Sequence, residues 1–148
     1  MQQHLVLNLV AKILIPFIIL FALYVQFHGD YGPGGGFQAG VIFGAGFILY
    51  GLIFGKDSAV RVVPQSLIYC MAAVGVLLYT IVGVAGMLLG GEFLNYSVLL
   101  SDPVAGQHVG ILLIELGVGI TVASVMICLF FSYANYRHPD NEQDAAQD

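Results

Sequence analysis

The chain has 148 residues, 59% of them hydrophobic and only 9% charged, with a mean hydropathy of +0.91. A soluble domain carries about a quarter charged residues on its surface, so this composition excludes one and describes an integral membrane protein. The net charge of −5 is not a global field: four of the nine acids (Asp140, Glu142, Asp144 and Asp148) crowd into the last nine residues, and an acidic end repels nucleic acid and anionic lipid alike.

The first apolar run, residues 5–27, holds Asn8, Lys12 and Pro16 at four-residue spacing, hence on one helix face. No small-residue cleavage site interrupts it, which predicts a retained span. After the turn-like His28-Gly29-Asp30-Tyr31-Gly32 comes Pro33-Gly34-Gly35-Gly36-Phe37-Gln38-Ala39-Gly40. A proline and three consecutive glycines suit neither a helix interior nor a strand, so they predict a break and a sharp start to a second helix over 34–54. At about 1.5 Å per residue that length just covers a hydrocarbon core of about 30 Å. Gly36, Gly40 and Gly44 leave one face of it bare, and neighbouring helices can approach such a face closely. The other spans are expected to pack around this helix.

Lys56, Asp57 and Arg61 mark a charged loop, and Pro64 permits a third span over 65–90 in which Gly75, Gly83 and Gly86 are thin places. Residues 91–106 form the longest loop. A fourth span follows over 107–133, closed by the aromatic and basic Tyr133, Tyr136, Arg137 and His138. The runs are too long for barrel strands and do not alternate. The expected architecture is therefore all-α: one transmembrane domain of four helices over 1–136 and a solvated acidic tail over 137–148. Lys12, Lys56, Arg61 and Arg137 all fall at ends that a four-span pattern puts on one side, which predicts that both termini and the tail are cytoplasmic. Cys70 and Cys128 sit in apolar runs without metal spacing and are expected to be buried thiols.

Two charged residues lie inside spans, where an ionised group must face protein or water. Glu115 falls about eight residues, roughly 12 Å, from the outer end of the fourth span. There it suits a group that takes and releases a proton or meets a cation such as a transient Na⁺; a structural, hydrogen-bonded glutamate is the plainer alternative. Lys12 falls about seven residues from the inner end of the first span, which places the two charges about 8 to 10 Å apart along the membrane normal. Lys12 either sends its ammonium to the headgroups or lines a polar pathway. His108, seven residues before Glu115, lies on nearly the same face, and with Asp102 it makes a candidate proton relay at the outer mouth. The same two readings, relay or exposed loop, apply to His28 and Asp30. The histidines are too scattered for a metal site, and the glycine stretch lacks the Lys-Ser/Thr of a phosphate-binding loop. No serine has a base arranged beside it, and no haem or zinc pattern occurs, so neither a cofactor nor covalent enzyme chemistry is expected. Four spans without an inverted repeat are too few for a complete carrier. The chain is expected to be a subunit whose glycine-lined faces pack on other membrane proteins.

The Pro33–Gly40 stretch, the four spans and the segment Ile114-Glu115-Leu116-Gly117-Val118-Gly119 resemble the MnhB/MrpB family over about residues 5–136. That resemblance implies a small membrane subunit of a hetero-oligomeric Mrp (Mnh) antiporter in the bacterial inner membrane, exchanging cytoplasmic Na⁺ for external H⁺. It implies that Glu115 is the family's intramembrane acid of the last span and Phe37 the aromatic beside the glycines. Two other roles remain open at this point: an assembly subunit without ion contact, and the equivalent module of a membrane-bound hydrogenase-like complex.

Overall fold

The computed structural model describes residues 2–29 and 34–135; Asp30, Pro33 and the acidic tail over 137–148 lie outside the described residues. Helix α1 spans Gln2–Phe27, α2 Gly36–Phe54, α3 Lys56–Val62, α4 Gln65–Leu88 and α5 Pro103–Asn135, with a short 3-10 turn at Tyr96–Val98 before the last. Four of these, α1, α2, α4 and α5, are long and apolar enough to cross a membrane. Chain order is not spatial order. The extensive pairings are α1 on α2, α2 on α5 and α5 on α4, so the helices stand as a row with α1 and α4 at its ends.

Small residues set that row. On α2, Gly40 faces Gly119 and Val122 of α5, and Gly44 faces Ala123 and Met126 of the same helix. Gly46, on another side of α2, meets Ile18 and Ile19 of α1. On the far side of α5, Gly117 and Gly75 of α4 approach each other so closely that a methyl on Gly117 would stand 2.9 Å from the Gly75 carbonyl oxygen. The stripe is thus occupied by α5 of its own chain, in agreement with the expectation that the other spans pack around this helix, and it leaves no room there for another subunit. The spacing of the glycines revealed a bare face; which helix fills it depends on how the chain folds back.

In hydrocarbon no water is available to satisfy polar groups, so the hydroxyls within the spans turn to their own backbone. Thr80, Thr121, Ser124 and Ser132 donate to the carbonyls of Val76, Gly117, Ile120 and Cys128, four residues earlier in each case, at 2.7–3.0 Å. Toward the C-terminal end of α2, Phe47, Ala59, Ile68, Ile127 and Phe131 form a core, with the Phe47 and Phe131 rings edge to face at 6.1 Å. Ala59 brings α3 into it. The stretch expected to be a charged loop is helical because Asp57 lies in its first turn and Arg61 in its last, each opposing the nearby helix-dipole charge, while fully buried Ala59 docks the inner face. Both cysteines are free; Cys128 is half-buried, but Cys70 is exposed on the outer side of α4 rather than buried, since α4 ends the row.

The 91–102 loop folds back onto the helices. Phe93 lies against Gly83 of α4, and the Tyr96 ring lies against Gly110 of α5. Tyr96 is pushed above its ordinary value of 10.0 chiefly by burial, and secondarily by Tyr79. Asp102 ends the loop: its Oδ1 accepts from the Val104 N–H at 3.1 Å, satisfying one of the donors that open α5, and Pro103 needs no donor at that position.

Candidate functional site

Glu115 lies in α5 where that helix passes the turn joining α1 to α2. Its carboxylate is seated against glycine backbone. A methyl on Gly29 would stand 2.5 and 2.8 Å from the two carboxylate oxygens, and one on Gly35 3.2 Å from Oε1. A methyl on Gly36 would overlap the main-chain carbonyl of Glu115 itself. At Gly36, where the contact is with backbone, no side chain fits; at Gly29 one would displace the carboxylate. Gly35, at φ 147°, is also in a conformation that other residues rarely adopt.

The seat is electrostatically suited to an anion. The first turn of a helix leaves N–H groups without partners inside the helix, and its dipole is positive there. Gly35 gives α2 no side-chain cap, and the carboxylate from α5 stands beside it. Half-buried Glu115 therefore places a negative charge at the positive end of a neighbouring helix.

The depth of the site follows from α2. Its 19 residues rise about 28 Å, so a helix beginning beside Glu115 has just enough length to reach the other boundary. Glu115 stands level with the start of α2, and α5 continues past it toward the 91–102 loop. Lys12 belongs to the opposite end: its Nζ lies 6.0 Å from the centre of the Phe54 ring, at the last residue of α2. About 27 Å of helix rise separates Gly36 from Phe54, so the structure does not bring Lys12 and Glu115 within the 8 to 10 Å expected from sequence. Antiparallel packing of α1 on α2 carries Lys12 to the level of the last residue of α2.

The remaining candidates are distributed along the end of the bundle that holds Glu115. His108 is exposed on α5, two turns before Glu115, and Asp102 caps the start of that helix. The His28 ring stacks on Tyr24 at 4.9 Å, one residue from the Gly29 seat. Phe37 is 64% exposed and points away from the row, while Gly34 packs near the Val25 carbonyl. Gln26, which no motif in the sequence singles out, is only 5% exposed, and its Oε1 would lie 2.5 Å from a methyl on Gly119, one turn beyond Glu115. Its signal in the sequence was weak: an uncharged amide just before the end of an apolar run reads as an interfacial residue.

Four membrane-length apolar helices, joined closely through glycine and carrying a carboxylate at the turn of the α1–α2 hairpin, define a small multi-pass membrane protein. The model of the domain related to the MnhB subunit of Na⁺/H⁺ antiporter matches residues 6–128. The chain is 33% identical over 139 residues to "Putative antiporter subunit mnhB2" of Staphylococcus aureus strain Newman, covering 92% of this chain and 98% of that protein. The same values hold for the proteins of that name from strains JH1 and COL. The chain belongs to the MnhB family.

Proposed function

We propose that the chain is a B-type subunit of a multisubunit Na⁺(cation)/H⁺ antiporter in the bacterial inner membrane, with both termini cytoplasmic, and that Glu115 works at the external mouth of the ion pathway. The observation that supports this most is the seating of its carboxylate between Gly29 and Gly35 at the start of α2, where Gly35 has no side chain to cap the helix. The chemistry is competitive. As an anion the carboxylate presents oxygens to a partly dehydrated cation; once protonated it no longer attracts one. A proton arriving from outside and a cation leaving toward the outside therefore compete for one group, which is the behaviour an antiporter requires. His108 and Asp102, near the outer start of α5, stand where protons would approach, and other subunits complete the pathway.

A second reading has its own support. The same glycines hold Glu115 so closely that the carboxylate also serves as a clasp between α5 and the α1–α2 hairpin, which is an assembly role. The Glu115→Gln variant separates the two when complex abundance and exchange are measured together. Normal assembly with impaired exchange supports the ion-pathway reading, and loss of assembly supports the clasp. Affinity purification through this chain should also recover the other antiporter subunits; recovery of hydrogenase-type subunits instead would overturn the proposal.

A further inference from the structure

One turn into the membrane from the Glu115 seat lies a cleft of about 200 Å³ between α1, α2 and α5, with Met71 of α4 at its far side. Its walls are apolar, formed by residues such as Ala22, Ala39, Phe43 and Ala123, with one exception. That exception is Gln26, 5% exposed, whose Nε2 has no hydrogen-bond partner among the described residues. A buried amide with nothing to donate to is unfavourable, and native structures seldom leave one so. A hydrogen-bond acceptor bound at this place would remove that cost.

The surroundings narrow the choice. Gln26 contacts the Gly119 position, and a methyl on Gly119 would also stand 3.2 Å from the Gly36 carbonyl oxygen, so amide and carbonyl face the same small space. Gln26 lies in the last turn of α1 and reaches the Gly119 position, and Gly119 follows Glu115 by four residues on α5. Residues at that spacing are neighbours about 5–6 Å apart on one helix face. The amide is thus about two hydrogen bonds from the carboxylate. Water fits this place: it accepts from Nε2, donates to a carbonyl or carboxylate, and suits the amide in either orientation.

We infer that Gln26 holds a water molecule at the polar end of this cleft and that this water extends the Glu115 carboxylate into the membrane as a proton-conducting step. The inference rests on the ion-pathway reading of Glu115, but the presence of the water does not.

The test uses the assembled complex in native membranes, with Cys70 and Cys128 replaced by alanine. Ala39, 4% exposed and lining the cleft, is changed to Cys and treated with Ag⁺, an ion close in size to Na⁺ that needs water to reach a thiol. Ala39→Cys should react at least about tenfold faster than Leu77→Cys, which faces outward on α4. Adding Gln26→Met, which keeps the side-chain volume and removes the amide, should lower that reactivity about tenfold and slow exchange, with the complex still assembled. Equal rates for Ala39→Cys and Leu77→Cys would show the cleft dry and overturn the inference. So would an assembled Gln26→Met complex with unchanged reactivity and exchange. If Gln26→Met does not assemble, the Ala39→Cys against Leu77→Cys comparison decides by itself. A wet cleft together with a Glu115→Gln variant of normal exchange would retain the water and refute the proton-conducting step.

Discussion

Gly40→Ala tests how the row of helices is held together. A methyl there would lie 2.6 Å from the Gly119 carbonyl oxygen, 2.9 Å from Val122 Cβ and 3.2 Å from the Ala123 nitrogen. None of these is the free end of a side chain, so relief requires α2 and α5 to part by about 1 Å, given ordinary contacts of about 3.5–4.0 Å. Overpacking of this kind costs about 1–3 kcal/mol, and alanine returns roughly 0.5–1 kcal/mol through its better helix propensity. The net loss is about 1–2 kcal/mol, roughly a 5- to 30-fold fall in the ratio of folded to unfolded chain. Gly46→Ala is the control. Its methyl would be 3.2 Å from the Cγ2 of Ile18 and 3.5 Å from Ile19, both movable side-chain atoms, so propensity should nearly balance contact. The folded fraction after graded heating, read by fluorescence-detected size exclusion on the detergent-purified chain, should drop for Gly40→Ala and stay within error for Gly46→Ala. The reverse order, or a Gly40→Ala chain as stable as wild type that fails only to bind other subunits, would refute an internal role for the stripe.

Cysteines at Asp57 and Asn95 should be labelled by impermeant reagents from the cytoplasmic and external sides respectively; labelling of both from one side would contradict the four-span topology. Asp102→Ala should cost about 1 kcal/mol through loss of the Val104 cap and speed amide exchange in the first turn of α5, with unchanged exchange protection excluding a capping role. Because Tyr96 keeps its proton above the ordinary 10.0, its contribution to stability is present below about pH 10 and is lost as pH rises through the higher folded value. Tyr96→Phe should flatten the fall in thermal stability above pH 10; an unchanged slope would show that another group causes it.

Much of the fold was legible because lipid imposes few choices: runs of about 20 apolar residues must be helices, and the glycine spacing in residues 36–44 announced a close approach. The partner of that face was not legible, because periodicity within one helix carries no information on which later segment returns to it. The α3 helix was hidden by its seven residues and by charges that read as a loop, although buried Ala59 is what docks it. At the site, the sequence singled out Glu115 as a charge out of place. Its neighbours were not legible, because α5 has 33 residues and only the packed structure shows that it passes the start of the 19-residue α2 at Glu115. Gln26 became visible only when α1 and α5 were seen to meet.

The central claim, that Glu115 exchanges ions rather than only clasping helices, is tested most directly by Na⁺/H⁺ exchange in vesicles containing equal amounts of assembled wild-type, Glu115→Gln and Glu115→Asp complex. Glutamine keeps size and hydrogen-bonding capacity but removes charge and titration. Exchange should fall at least about tenfold for Gln, while Asp, which keeps the acid but withdraws it by one methylene, should retain part of the rate with an altered pH profile. A fully assembled Gln complex with wild-type rate, Na⁺ dependence and pH profile would contradict the claim.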